Sequence, residues 1–274
     1  ISVLESHGYV IHDLGIVPTP LVLYAVKAWE LDGGIMVSAS HNPAPWNALK
    51  LIDRGGFFFN EAKMGQIKEF YRLRDFLPLD MQHLGSVKTA SVMESYLSAA
   101  REIVDFSLIK GASLSVGADF INGTAGFVMP QLFEELGVTF KAIHVDPERD
   151  FERGAEPLPE NLAALGQLVA QNKLEAGLAY DPDADRLALV DEKGRAIGED
   201  WTLAIAYLNL IQRQTTDIVV NLSTSMLMDE IARGIGRKAP KAKVGEIHVT
   251  EKMLELGVPV GGEGNGGVIY LPPK

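Results

Sequence analysis

Short apolar runs alternate along this chain with stretches whose apolar positions recur at helical spacing. Residues 9–14 and 34–37 read as strands. Between them Pro18 and Pro20 open a helix over 21–30, since proline suits a first helical turn. Over 93–108 the apolar positions Tyr96, Leu97, Ala100, Ile103 and Val104 predict one continuous helix. A strand at 113–116, a turn at 123–126 and a helix at 127–136 come next, then a strand–loop–strand over 176–191. Asp200 is the expected cap of a helix over 201–212. Beyond it come a strand at 218–222 and helices at 226–233 and 250–256. This alternation is that of an α/β protein. It divides into segments 1–90, 91–199 and 200–274, with no repeat visible as identity and no low-complexity stretch.

The 274 residues suffice for a buried core in more than one domain. The absence of cysteine excludes disulfides, thiolate metal sites and cysteine nucleophiles. A net charge of −11 argues against binding nucleic acid through a basic face. It also means that an anionic substrate must be met by local cations or a metal. The uncharged run 201–212 falls short of the ~20 apolar residues of a membrane span. No basic-then-apolar leader opens the chain, so a cytoplasmic protein is expected. The first residue, Ile1, points to a chain that does not begin at a natural start. Nothing in the sequence sets an oligomeric state.

The sharpest local signal is Asp181-Pro182-Asp183-Ala184-Asp185-Arg186. Three carboxylates this close repel one another unless a cation neutralises them. An all-oxygen donor set suits Mg²⁺ or Ca²⁺ rather than zinc. In an extended strand alternate residues share a face, which would aim all three at one site. A calcium loop with Glu192 in twelfth position is a rival, but Arg186 stands where such a loop needs glycine. Asp181 and Asp183 as the pair of an aspartyl-phosphate phosphatase is another. A solvated acidic turn fits poorly with the apolar flanks 178–180 and 187–190.

Residues 38–50, SASHNPAPWNALK, come directly after the strand at 34–37. Ser40 beside His41, held by Pro43 and Pro45, is a candidate presented nucleophile, and Lys50 a candidate cation for phosphate. Ordinary loop composition explains the same residues. Residues 261–267, GGEGNGG, contain the glycine spacing of a dinucleotide fingerprint. That fingerprint must open a helix, whereas Val268-Ile269-Tyr270 is strand-like, which disfavours NAD. Glu263 and Asn265 in a glycine-rich loop suit hydroxyl recognition, although a plain hairpin is equally consistent. His248 is expected to be a surface or capping residue.

Together, in this order and spacing, the three motifs resemble the α-D-phosphohexomutase family: phosphoglucomutases, phosphomannomutases and phosphoglucosamine mutases. Residues 38–43 resemble the phosphoserine loop, with Ser40 phosphorylated and Asn47 and Lys50 further along it. Asp181, Asp183, Asp185 and Arg186 resemble the metal loop, and 263–267 the sugar-specificity loop. Pro18-Thr19-Pro20, Asn122-Gly123 and 157–162 agree, and the likeness covers essentially the whole chain. Asn265 and Gly267 depart from the serine and histidine the family often carries there.

The resemblance implies four domains around one cleft, of which this chain supplies parts of three. The phosphoserine-loop domain is expected at 1–90, the metal-loop domain at 91–199 and the sugar-loop domain at 200–274. It implies interconversion of hexose 6-phosphate and hexose 1-phosphate through a phosphoserine and a hexose bisphosphate. Mg²⁺ on Asp181, Asp183 and Asp185 would share Ser40 as a ligand. Lys50 or His41 would serve as base, Arg186 as phosphate-binding cation, and Glu263, Asn265 and Gly267 as the sugar contact. A catalytically silent sugar-phosphate-binding module is the non-enzymatic alternative.

Overall fold

The computed structural model describes residues 1–42, 45–74 and 83–272. In the first segment helix α1 (Ser2–Ser6) leads to strand β1 (Val10–Asp13), helix α2 (Thr19–Ala28) and the strand pair β2 (Gly33–Val37) and β3 (Leu49–Asp53). Helix α3 (Glu61–Leu73) and strand β4 (Ser86–Thr89) complete it. β1 pairs with β4 in parallel, and β2 with β3 antiparallel. α2 starts with Pro20 in its first turn, as expected. It buries Leu21 and Ala25 against Val92 and Val128, and Val22 and Val26 against Ile52.

The stretch read as one helix is two, α4 (Met93–Ile103) and α5 (Phe106–Ala112). The break has a local cause. Val104 is extended, and the Asp105 side chain accepts from the Leu108 N–H, capping a new helix. Beyond it lie β5 (Ser115–Asp119), α6 (Met129–Glu135), β6 (Thr139–Ile143), α7 (Ala163–Asn172), β7 (Ala176–Tyr180) and β8 (Leu187–Val190). The third segment runs α8 (Asp200–Ile211), β9 (Val219–Asn221), α9 (Leu227–Gly234), β10 (Lys241–Ala242), α10 (Glu246–Leu256), β11 (Val260–Gly262) and β12 (Val268–Tyr270). Asp200 is not the expected cap. It already lies inside α8, and its side chain makes no cap bond. α10 begins four residues earlier than predicted, straight after Gly245 at φ +115°.

The second and third segments share one plan. Their sheets run β6-β5-β7-β8 and β10-β9-β11-β12. Numbered within each unit, both orders are 2-1-3-4, with the first three strands parallel and the last antiparallel. This is a structural repeat without visible sequence identity. Each sheet is covered on both faces, as parallel strands require. Ala179 joins Leu165 and Val169 of α7, while its neighbour Tyr180 joins Phe120 and Phe133. Likewise Val219 packs with Val249 and Met253 of α10, and Val220 with Leu203, Tyr207 and Met228. Among the described residues no helix is long and apolar enough to cross a membrane.

Candidate active site

All three motifs occupy the same kind of position, the connection between two antiparallel strands. Residues 38–48 join β2 to β3, 181–186 join β7 to β8, and 263–267 join β11 to β12. The second and third loops leave the carboxyl end of the central strand pair, where the strand order reverses; open α/β sheets bind ligands there.

In the first loop Ser40 sits in left-handed backbone at φ +51°, its N–H donating to Ser38 Oγ at 2.8 Å. Its hydroxyl lies 3.3 Å from His41 Nδ1 and donates to Asp181 Oδ2 at 3.5 Å, across 141 positions of sequence. Pro43 and Ala44, part of the motif, lie outside the described residues.

The acidic segment is the loop of the expected strand–loop–strand, and it closes as a tight turn rather than running extended. Ala184 is left-handed at φ +51°, and its N–H bonds to the Asp181 carbonyl at 3.1 Å. The turn still gathers the carboxylates: one oxygen each from Asp181, Asp183 and Asp185 lie within 4.8 Å of one another. Neighbouring segments clamp its backbone. The Pro182 carbonyl accepts from Thr124 N–H (2.9 Å) and Thr124 Oγ1 (3.1 Å), and the Asp183 carbonyl from Thr19 N–H (2.9 Å). Gly123 permits the first approach, since a Cβ there would lie 2.5 Å from the Pro182 carbonyl oxygen.

Every donor to the Asp183 carboxylate falls on one oxygen. Oδ2 accepts from Thr19 Oγ1 (2.6 Å), Ser38 Oγ (2.9 Å) and Lys50 Nζ (2.5 Å), and Lys50 also reaches Asp185 at 2.9 Å. Among the described residues nothing hydrogen-bonds Oδ1, which is buried. Burial would raise the Asp183 carboxyl, but the Lys50 ammonium and the hydroxyl donors hold it below the ordinary value. Burial, with Asp185 and Asp183 nearby, pushes the Asp181 carboxyl well above it. Burial would lower the Lys50 ammonium, yet Asp185 and Asp183 raise it. An orphaned buried oxygen inside an all-carboxylate donor set fits a hard divalent cation. The hairpin between β7 and β8 removes the calcium-loop reading, which requires flanking helices.

Arg186 donates from its backbone to Asp181 Oδ1 (3.1 Å) and through Nη1 to Glu156 (2.9 Å), and its Nε lies 3.9 Å from Asp185. In the third loop Glu263 Oε1 accepts from Asn221 Nδ2 (2.6 Å) and Gly245 N–H (2.9 Å). Asn265 bridges back to Glu263 (3.2 Å) and accepts from the Gly267 N–H (3.1 Å). Gly266, at φ +89°, accepts at its carbonyl from the Leu187 N–H (3.2 Å), which seats this loop against the start of β8. A Cβ on Gly267 would lie 3.9 Å from the Asp185 carbonyl oxygen, so the second and third loops are neighbours. His248, on α10, lies 3.7 Å from Glu251 within its own helix.

The sequence places Thr19 and Ser38 inside its motifs but gives neither a role of its own, and it does not single out Glu246. Two are hydroxyls of common type, and Glu246 fell before the expected start of α10. Burial pushes the Glu246 carboxyl up to about 8, with Asp185 adding to the shift, Lys50 opposing it and Glu263 adding again. A carboxyl raised on folding stabilises the fold while protonated. That contribution disappears as pH climbs from the ordinary carboxyl value of 4.5 through about 8. Glu246→Gln should therefore melt close to the parent near pH 4.5 and roughly a few degrees above it near pH 9, in metal-free thermal scans.

Residues 1–77, 94–194 and 199–273 match, in order, alpha/beta/alpha domains I, II and III of the family described as phosphoglucomutase/phosphomannomutase. A phosphoglucomutase/phosphomannomutase of Thermococcus kodakarensis is 33% identical over 272 residues, covering 98% of this chain and 60% of the relative. A phosphoglucosamine mutase of Caldicellulosiruptor bescii is 32% identical over 274 residues, covering 98% and 60%. Among solved structures, a phosphoglucomutase/phosphomannomutase family protein of Burkholderia thailandensis superposes with TM-score 0.80 at 26% identity. It covers 97% of this chain and 59% of that one. The chain thus spans about three-fifths of the length of the curated relatives it matches. Three successive domains of one family make this chain a member of the α-D-phosphohexomutases, the phosphoglucomutase/phosphomannomutase family.

Proposed function

We propose that the chain contributes the catalytic core of a phosphohexomutase, which interconverts hexose 6-phosphate and hexose 1-phosphate through a phosphoserine at Ser40. The observation that carries this reading is the meeting of Ser40 Oγ with Asp181 at 3.5 Å, between two loops 141 residues apart. Domains 1–90, 91–199 and 200–274 would each supply one loop.

Asp181, Asp183 and Asp185 would hold a magnesium ion, which supplies Lewis-acid charge to a phosphoryl group when bound. The rest of the chemistry belongs to the chain. The phospho-Ser40 Oγ–P bond breaks as a bond forms from phosphorus to the free sugar hydroxyl. His41, against Ser40 Oγ, takes the hydroxyl proton and returns it to the serine oxygen. Lys50 and Arg186 offset the excess negative charge of the loop and the phosphate. The bisphosphorylated sugar then turns and presents its other phosphate to the Ser40 hydroxyl, and the same steps run backwards. Glu263 and Asn265, already aligned by their mutual hydrogen bond, would hold the sugar hydroxyls in both orientations. Glucose and mannose phosphates are the first substrates to test, with glucosamine phosphate the alternative.

Incubation with a hexose 1,6-bisphosphate, followed by intact mass and peptide mapping, tests the reading. One acid-stable phosphate on the Ser40 peptide is expected. A hydroxylamine-labile acyl phosphate on Asp181 would indicate a phosphatase, and no adduct would leave a binding module. Glu263→Gln should weaken hexose bisphosphate binding by roughly tenfold or more in calorimetry, the scale for a lost charged hydrogen bond, and leave Mn²⁺ affinity unchanged.

A further inference from the structure

A buried ion pair stands directly behind the acidic loop. Asp119 ends β5 and is fully buried, in register with Ala179 on β7. Its Oδ2 accepts from Arg153 Nε at 2.7 Å. Its Oδ1 accepts from the Ile121 N–H at 2.9 Å and lies 2.9 Å from His144 Nδ1. The same guanidinium donates through Nη2 to the Tyr180 carbonyl at 2.5 Å and through Nη1 to the Gly154 carbonyl at 2.9 Å. Tyr180 is the last residue before Asp181. We propose that Arg153, oriented by Asp119, is a positioning residue that fixes the aim of the Asp181 carboxylate into the cation site. This inference rests on reading the acidic loop as that site.

Two physical arguments support it. Burying an ion pair costs desolvation, and apolar residues of similar volume usually serve a fold as well. An apolar pair cannot donate a hydrogen bond to the Tyr180 carbonyl. The planar fork of arginine meets a carboxylate and a carbonyl at once, and lysine lacks that geometry. The contact also completes a series. The carbonyls of Tyr180, Asp181, Pro182 and Asp183 are each held, by Arg153, Ala184, Thr124 and Thr19. Arg153 secures the point where the loop leaves the sheet, so a shift there would carry Asp181 away from Asp183 and Asp185.

The test is Mn²⁺ titration followed by electron paramagnetic resonance, with thermal melting beside it. Arg153→Lys retains the charge facing Asp119 and loses the fork. It is expected to melt cooperatively and to bind Mn²⁺ about tenfold or more weakly, the scale for partners behind a metal ligand. The double variant Asp119→Leu with Arg153→Met removes both charges at similar volume and should show the same weakening in a folded protein. A lowered melting temperature with parental Mn²⁺ affinity, in either variant, would make the pair a structural strut and overturn the proposal. Asp183→Asn separates the two claims. Loss of Mn²⁺ binding there, with parental affinity in Arg153→Lys, overturns the positioning role alone; parental affinity in both overturns the cation site as well.

Discussion

Asp183→Asn is expected to reduce divalent-metal affinity by more than about a hundredfold, beyond the range for groups that only support a ligand, and phosphoryl transfer with it. The reason lies in how the carboxylate is divided. Thr19, Ser38 and Lys50 all donate to Oδ2, and the buried Oδ1 has no partner among the described residues. An amide has one oxygen and one nitrogen. With its oxygen toward the three donors, the NH₂ group points N–H bonds at the cation position. With its oxygen toward the cation, the NH₂ group faces Thr19, Ser38 and Lys50, where a donor repels the Lys50 ammonium. Neither rotamer restores what the carboxylate does on both sides. Calorimetric Mg²⁺ titration of the variant checks this, and affinity equal to the parent's would remove Asp183 from the ligand set.

Ser40→Ala is expected to abolish the phosphoenzyme and lower turnover by roughly 10⁴-fold or more, the scale for deleting a covalent nucleophile. Here the hydroxyl is the group lost. The Ser40 N–H bond to Ser38 Oγ does not involve it, so the loop keeps that anchor. The left-handed backbone at φ +51° is strained for serine and alanine alike, so the variant should fold like the parent, which a melting scan checks. Metal affinity should move far less than in Asp183→Asn, because three carboxylates remain. Radiolabelled phosphate transfer from a hexose bisphosphate is the readout. A variant that still takes up label would place the nucleophile elsewhere, with Asp181 the first alternative.

Much of this site was legible in the sequence because its residues break local rules. Three aspartates between apolar runs fit an ordinary solvated turn poorly, whereas Glu263 among five glycines suits a plain hairpin equally well until it is read together with the other two motifs. The α/β class and most strands flanking the motifs were readable from apolar runs. Features set by distant packing were not legible. The alternation of the aspartates suits a strand or a tight turn equally, and clamping by Thr19 and Thr124 selects the turn. Thr19 itself reads as one more residue at a helix start; only the fold turns its hydroxyl toward a residue 164 positions away. The Asp105 cap that splits α4 from α5 interrupts an apolar periodicity that continues across it. Arg153 and Asp119 carry no local signal, because their partners are a carbonyl and a carboxylate brought together by strand register. The repeated 2-1-3-4 plan is likewise a property of topology, preserved where identity is not.

The central claim is that the Ser40 hydroxyl and the acidic loop share one divalent ion. Anomalous diffraction from crystals grown with Mn²⁺ tests it most directly. A single manganese peak bonded to Ser40 Oγ and to carboxylate oxygens of Asp181, Asp183 and Asp185 is the predicted result. A peak bonded to the aspartates with Ser40 far outside its coordination sphere, or manganese bound elsewhere on the chain, would contradict it.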